Sequence, residues 1–203
     1  MKNQSEFPEN LINLASICPS TKALGPGNRF AIWTQGCYLD CHECCAQEWR
    51  KIKTGIQVAP QFLAQEILTD KTLEGITISG GAPMLQPKAL NQLLKIIKDN
   101  SNLGIICYTG YKLEELKKRN DLNINDLLEK IDVLIDGMYI KELDDNQGWR
   151  GSSNQVINFI TGRYKEYENE FLSRKRDIEL HLFRDNYLMI GIKPKWADEH
   201  ILI

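Results

Sequence analysis

The apolar residues in the middle of the chain follow first a helical and then a strand period, and this alternation limits the possible folds most strongly. In residues 60–69 the apolar positions share one helical face, and residues 75–79 then form a short buried run. Leucines of a helix that begins near Pro87 precede a second buried run, residues 103–108. Strands that alternate with helices form parallel sheets, so the pattern predicts an α/β fold.

The alternation continues on both sides of this region. Residues 29–35 are aromatic and β-branched and lead into Gly36, which predicts a strand that ends in a loop. Residues 112–119 and 125–130 are predicted helices, and residues 132–135 are a predicted strand closed by Asp136 and a glycine. Parallel strands joined by crossovers place their following loops at one edge of the sheet, where we expect the functional residues.

The last forty residues have a different character. A charged helical stretch leads to two apolar runs, residues 178–183 and 187–192, separated by Arg184, Asp185 and Asn186. This pattern predicts a β-hairpin. The expected organisation is an N-terminal arm, a core and a helix-plus-hairpin extension, which comprise residues 1–23, 24–162 and 163–203.

Composition excludes several classes of protein. The chain has 203 residues, of which 42% are hydrophobic and 26% charged, with a net charge of −2. No clustered positive charge points to nucleic acid, and no apolar run approaches the roughly 18 residues of a membrane span. The start, MKNQSEFPEN, lacks the sections of a secretory signal. We therefore expect a cytoplasmic protein whose cysteines stay reduced, as metal ligands or catalysts rather than disulfides.

Three cysteines stand close together directly after a predicted strand. Cys37, Cys41 and Cys44 have the spacing C-x3-C-x2-C, and three such thiolates can converge on one iron–sulfur cluster. A structural zinc site usually takes four protein ligands, commonly as two separated pairs, and no second pair lies downstream. The spacing favours a cluster with one open iron over zinc, without excluding zinc.

The other cysteines and the histidines give weaker signals. Cys45 is a spare thiol or a ligand during cluster assembly, and we expect a bystander. Cys18 and Cys107 have the character of small buried hydrophobes. The three histidines lack the spacing of metal ligands; they are His42, His181 and His200.

A glycine pair follows the predicted strand of residues 75–79. Gly80 and Gly81 stand in the stretch TISGGAPMLQ, where a backbone without side chains can approach a ligand closely. The alternative interpretation is a plain turn between strand and helix.

Five stretches together resemble a known family. They are GPGNRFAIWTQGCYLDCHEC, TISGGAPMLQ, CYTGYKLEEL, DVLIDGMYIKEL and WRGSSNQVI. Their content and order are similar to those of the radical S-adenosylmethionine (SAM) enzymes, and most similar to the activating enzymes of anaerobic ribonucleotide reductase. The resemblance extends over about residues 24–160.

The resemblance implies a fold, two cofactors and site residues. The fold would be a partial, open (β/α) barrel, here with the hairpin appended. Cys37, Cys41 and Cys44 would hold a 4Fe-4S cluster whose fourth iron binds SAM, and an external electron donor would reduce it. In that family the cluster and SAM supply a 5′-deoxyadenosyl radical that abstracts hydrogen. The implied SAM contacts are Gly80, Gly81 and Ala82, and further candidates are Tyr108, Asp136 and Arg150.

The chain departs from the family pattern at two positions. The glycine pair is usually followed by an acidic residue that helps to hold the SAM amino group, but here Ala82 follows. One charge-assisted contact is therefore missing. The family also often has Asn two positions beyond the third cysteine, where this chain has Ala46.

Three functions are compatible with the sequence. One is maturation of a ribosomally made peptide by a splicease-like enzyme, aided by a small recognition protein; Ala82, the long N-terminal start and the predicted hairpin favour it. The second is an activase that installs a glycyl radical in a reductase. The third is an iron–sulfur electron carrier without SAM chemistry. The sequence favours the peptide enzyme slightly over the activase and does not identify a catalytic side chain.

Overall fold

The computed structural model describes residues 9–44, 46–52, 54–182, 184 and 187–197. Its main sheet has the spatial order β3-β1-β2-β4-β5-β6-β7, where the strands are β1 (Ile12–Thr21), β2 (Arg29–Thr34), β3 (Ile56–Val58), β4 (Gly75–Gly80), β5 (Gly104–Thr109), β6 (Val133–Asp136) and β7 (Val156–Phe159). Strands β2, β4, β5 and β6 are mutually parallel, as the alternation predicts. Strands β1 and β7 pair antiparallel to β2 and β6, and the sheet is open rather than closed into a barrel.

Helices cover one face of this sheet. They are α1 (Pro60–Thr69), α2 (Pro87–Asn100), α3 (Leu113–Lys118) and α4 (Leu122–Lys130), and α5 (Glu168–Ser173) lies in the C-terminal extension. α1 and α2 begin with proline. Proline suits the first helical position because a backbone N–H there would have no partner within the helix. The predicted stripe of α2 is buried against alternate strand residues; it comprises Leu90, Leu93, Leu94 and Ile97.

The C-terminal extension covers much of the opposite face. Side chains alternate across a strand, so Ala31 and Trp33 point away from the helices and pack with Ile190. Farther along the sheet, Ile106 and its neighbours pack against Phe171 of α5. The extension is therefore part of the hydrophobic core.

One arginine is buried at the amino end of the parallel strands. The guanidinium of Arg29 makes five hydrogen bonds: Nε donates to Thr77 Oγ1 at 2.7 Å, and Nη1 to the Pro26 carbonyl and to Tyr164 Oη at 3.0 and 2.8 Å. Its Nη2 donates to the carbonyls of Ile76 and Gly104 at 2.7 and 3.0 Å. Burial lowers the pKa of Arg29, and the hydroxyl of Tyr164 opposes this shift. This arginine thus joins three strands to the C-terminal extension.

The predicted hairpin is confirmed as β8 (Glu179–Leu182) and β9 (Tyr187–Ile190), which form a separate two-stranded sheet. Leu180 and Leu182 share one face and are 53% and 80% exposed. Phe183, which ends the first predicted apolar run, and Asp185 and Asn186 of the predicted turn lie outside the described residues.

The amino-terminal part contains a strand that was not predicted from the sequence. Residues 12–21 fall in the stretch assigned to an N-terminal arm, but they form β1 inside the main sheet. Residues 1–8, Cys45 and His200 lie outside the described residues. None of the described helices is long and apolar enough to cross a bilayer.

Candidate active site

The loops that follow β2 and β4 meet at the carboxyl edge of the sheet. The backbone N–H of Gly81 donates to the Thr34 carbonyl at 2.7 Å, and that of Ala82 donates to the Gly36 carbonyl at 2.9 Å. β2 and β4 are parallel neighbours, so their carboxyl ends lie side by side. The cysteine loop and the glycine pair therefore share one rim, as the sequence predicts.

The cysteine loop is closed at its base by backbone hydrogen bonds. Gly36 N–H donates to the Trp49 carbonyl at 2.7 Å, and Cys37 N–H to the Arg50 carbonyl at 3.0 Å. The rings of Trp33 and Trp49 pack with their centroids 5.6 Å apart. These contacts anchor both ends of the loop to β2.

Two buried side-chain amides, those of Gln35 and Gln86, support this base. Gln86 Oε1 accepts from Asn13 N–H at 2.7 Å, and Gln86 Nε2 donates to the Gln35 carbonyl at 3.1 Å. Gln35 Nε2 donates in turn to the Lys51 carbonyl at 2.7 Å. The amides therefore tie β1, the cysteine loop and the start of α2 together. In the sequence, only their positions could have pointed to these two residues: Gln35 ends a predicted strand, and Gln86 precedes the proline of a predicted helix.

Two of the three cysteine sulfurs accept a backbone N–H. Leu39 N–H approaches Cys37 Sγ and Ala46 N–H approaches Cys44 Sγ, both at 3.4 Å. Such hydrogen bonds stabilise sulfur that carries negative charge. Ala46, which replaces the asparagine common in the family, thus contributes through its backbone.

The electrostatics of the loop oppose free thiolates but permit iron-bound ones. Burial raises the pKa of the Cys37 and Cys41 thiols, and neighbouring thiols act in the same direction. The charge of Arg50 lowers both pKa values, and its guanidinium is held by Asp40 at 2.7 Å. Metal ions displace thiol protons, so iron supplies the positive charge that this loop needs.

The donor set fits a 4Fe-4S cluster. Three half-buried thiols, two of them with a backbone N–H donor, stand on one anchored loop. Within the described part of the chain, no three His, Cys, Asp or Glu side chains converge on a single point. A cluster does not require such convergence, because its thiolates bind different irons and lie farther apart than the ligands of one ion.

The glycine pair is required by close backbone packing. Gly80 has a φ of +108°, in the left-handed region that favours glycine, and a Cβ there would meet the backbone of Thr34. A Cβ on Gly81 would overlap the Gly36 carbonyl. The plain-turn interpretation therefore omits the main constraint, which is contact with the base of the cysteine loop.

Gly81→Ala is expected to separate these two loops. The new methyl group meets backbone rather than a flexible side chain, so the loops must move and SAM cleavage should fall at least about tenfold. Formation of 5′-deoxyadenosine by the reconstituted variant measures this. Gly162→Ala is the matched control, because its Cβ meets no atom within 4 Å. Equal activities of the two variants would contradict the packing argument.

Gly80, Gly81 and Ala82 have no polar side-chain group, so they could form hydrogen bonds with SAM only through their backbone. Ala82 is fully buried, and its N–H already binds the Gly36 carbonyl. The position therefore offers no carboxylate to a SAM amino group. Contact of Gly80, Gly81 and Ala82 with SAM remains a prediction.

Two further candidates end neighbouring strands. Tyr108 Oη donates to the Trp149 carbonyl at 3.0 Å, and burial raises the pKa of this phenol far above its ordinary value. Asp136 Oδ2 accepts from Leu113 N–H, at the start of α3, at 2.7 Å. Both side chains thus have structural partners, and their contact with SAM stays a prediction.

Arg150 lies in the loop after β6. Its Nη2 pairs with Asp145 Oδ2 at 2.7 Å, and Nη1 donates to the Ser153 carbonyl at 3.4 Å. Its Nε is buried and has no hydrogen-bond partner among the described residues. One donor of Arg150 is therefore uncommitted, and its role as a ligand for SAM or a partner remains a prediction.

Comparisons with known proteins agree with this geometry. A family model described as a 4Fe-4S single cluster domain matches residues 23–158. The chain is 32% identical over 146 residues to the anaerobic ribonucleoside-triphosphate reductase-activating protein of Escherichia coli, covering 67% of this chain and 91% of that protein. The protein of the same name from Vibrio cholerae is 34% identical over 160 residues, covering 74% and 99%.

A third relative has a different name. The pyruvate formate-lyase-activating enzyme of Clostridium pasteurianum is 30% identical over 162 residues, which cover 76% of this chain and 59% of that enzyme. These relatives favour the activase alternative over peptide maturation and over an electron carrier. The family model and these relatives match the core of the chain, which includes the three-cysteine loop and the adjoining glycine pair. The chain therefore belongs to the radical SAM activase family and is an enzyme that uses a 4Fe-4S cluster and SAM.

Proposed function

We propose that this chain is a glycyl-radical activase, which abstracts a hydrogen atom from a glycine of a larger protein partner. The observation that carries the proposal is the similarity to reductase-activating proteins along 91–99% of their lengths. The open sheet is then the partial (β/α) barrel of a radical SAM enzyme. We place the reaction in the cytoplasm, where thiols are kept reduced and an external donor can supply the electron.

The residues at the rim would divide the work between binding and shielding. Cys37, Cys41 and Cys44 would hold the cluster, and the stretch from Gly80 to Ala82 would lie against the methionine part of SAM. The bound cofactors supply the 5′-deoxyadenosyl radical. The protein's own contribution is to fix their position and to exclude water from the radical.

An apolar border beside the cysteine loop supports a protein partner. The loop after β6 exposes Met138, Ile140 and Leu143, and Lys141 of this loop pairs with Glu43 of the cysteine loop. Leu39 contacts Gly110 across the same rim. A partner loop that entered the site would find these apolar side chains interspersed with the Lys141–Glu43 ion pair, a mixture typical of protein–protein interfaces.

A deuterium-transfer experiment tests the activase. The reconstituted enzyme, SAM and a reductant are incubated anaerobically with the anaerobic reductase subunit of the same genome, labelled with α-deuterated glycine. We expect deuterium in 5′-deoxyadenosine and a glycyl-radical EPR signal in the partner. Deuterium-free 5′-deoxyadenosine without that signal would contradict the proposal.

A second candidate, maturation of a ribosomal peptide, is favoured by the hairpin. Leu180 and Leu182 point outward, whereas Glu179 and His181 lie on the inner face, where Glu179 Oε1 accepts from Lys22 N–H at 2.8 Å. An unpaired edge strand with such a face can bind an extended peptide or a small recognition protein. Loss of mass from a co-expressed precursor peptide, abolished by Leu182→Lys, would favour this function over the activase.

A further inference from the structure

The loop of residues 144–151 lies on the C-terminal extension. Gly148 N–H donates to the Arg174 carbonyl at 2.9 Å, and Trp149 N–H donates to the Phe171 carbonyl at 3.0 Å. The guanidinium of Arg174 stacks on the Trp149 ring, 4.4 Å from its centroid. The extension begins beyond residue 158, the last residue that the family model matches, so this support is additional to the matched core.

Arg176 is the central contact between extension and loop. Its side chain is only 1% exposed, and Nη1 pairs with Asp144 Oδ1 at 2.8 Å. Its Nη2 donates to the Arg150 carbonyl at 2.7 Å and to the Gly151 carbonyl at 3.1 Å. One planar guanidinium thus binds both the start and the end of the loop, a geometry that lysine cannot reproduce.

The side chain of Arg150 is held by the same network. Asp145 Oδ2 pairs with Arg150 Nη2 at 2.7 Å, and Asp145 Oδ1 lies 3.9 Å from Arg176 Nη2. Asp145 therefore stands between two guanidinium groups. The conformation of Arg150 depends on Arg176 through both its carbonyl and its carboxylate partner.

Contacts continue from this loop to the cysteine loop. Ser152 Oγ accepts from Ile140 N–H at 3.1 Å, and the ring of Tyr139 lies against Gly151. Lys141 of the same loop pairs with Glu43 of the cysteine loop. A continuous set of packed groups therefore joins Arg176 to the cysteine loop.

We propose that Arg176 is a positioning residue for the SAM site. It fixes the loop that presents Arg150, and it makes the C-terminal extension a working part of the site rather than a cover. The proposal rests on the radical SAM part of the proposed function and is independent of the identity of the protein partner.

Arg176→Gln tests the proposal in the full-length reconstituted protein. The measurement is the dissociation constant of SAM, obtained by titrating the EPR spectrum of the reduced cluster without any partner. We expect an unchanged iron content and at least tenfold weaker SAM binding. Arg176→Lys should recover part of this loss, because it keeps the charge near Asp144. Wild-type SAM affinity in Arg176→Gln, with only a lower unfolding temperature, would overturn the proposal.

Two further variants complete the test. Asp145→Asn removes the carboxylate that stands between the two arginines. Because Asp145 is partly exposed, this variant can be measured even if Arg176→Gln does not fold. It should also weaken SAM binding at least tenfold, and wild-type affinity would overturn the proposal. Arg163→Gln is the control, because Arg163 binds Asn102 and approaches Asp132 on the amino-end side of the sheet; it should leave SAM affinity unchanged. Since no partner is added, failure of the activase proposal would not affect these results.

Discussion

Cys41→Ala is expected to leave the reconstituted protein without a stable 4Fe-4S cluster, and Cys37→Ala and Cys44→Ala should do the same. Each cysteine is one of only three protein ligands that the resemblance assigns to the cluster, so its loss leaves two irons open to solvent. Iron and sulfide content, together with the EPR spectrum of the reduced protein, measure the effect. Formation of 5′-deoxyadenosine should fall to background in all three variants.

Two cysteines outside the proposed ligand set provide controls. Cys18 is buried on the side of the hairpin, where its sulfur donates to the Ser20 carbonyl at 3.2 Å. Cys18→Ala should keep a full cluster, and the same is expected of Cys45→Ala. A Cys41→Ala variant with full iron content and activity would refute the ligand assignment.

Arg29→Met is expected to lower the free energy of unfolding by about 2–5 kcal/mol, because it leaves several buried acceptors without their donor and each unsatisfied buried group costs about 1–3 kcal/mol. Methionine fills a similar volume but leaves the carbonyls of Ile76 and Gly104 without their donors, and each unsatisfied buried group is unfavourable. It also frees Tyr164 from the sheet. Urea unfolding of the anaerobic protein, followed by circular dichroism, measures the change.

Arg163→Met is the matched control for this substitution. Arg163 is partly exposed and lies 3.9 Å from Asp132. Its loss should change the free energy of unfolding by only about 0–1 kcal/mol, because Asp132 keeps Ile105 N–H, Thr161 Oγ1 and Lys98 as partners. Arg29→Lys should also destabilise the protein, because one ammonium cannot replace five fixed donors. If the free energy of unfolding of Arg29→Met lay within about 1 kcal/mol of the wild-type value, the buried network would not have the assigned role.

The parallel part of the fold was predictable because its elements carry strong local patterns. α2 has a leucine stripe at helical spacing, and β4 and β5 are continuous buried runs between helices. β3 and β7 have only three and four residues, too few for a periodic signal. β1 contains Pro19, which lowers its strand signal, and its place is fixed by pairing with β2 and β3.

The site was predictable where the chemistry needs particular residue types at short spacing. The cysteine triplet and the glycine pair fall on one rim because both follow parallel strands. The supporting amides and Arg176 were not predictable, since their partners are distant in the chain: Gln86 binds Asn13, and Arg176 binds the loop of residues 144–151. An amide or arginine has no sequence pattern that reveals such a long-range contact.

Reductive cleavage of SAM tests the central claim most directly. The protein is reconstituted anaerobically with iron and sulfide, reduced, and incubated with SAM, and 5′-deoxyadenosine is quantified in the wild type and in Cys41→Ala. The account predicts 5′-deoxyadenosine and methionine from the wild type and background amounts from Cys41→Ala. A wild-type protein that holds a full four-iron cluster but neither binds nor cleaves SAM would contradict it.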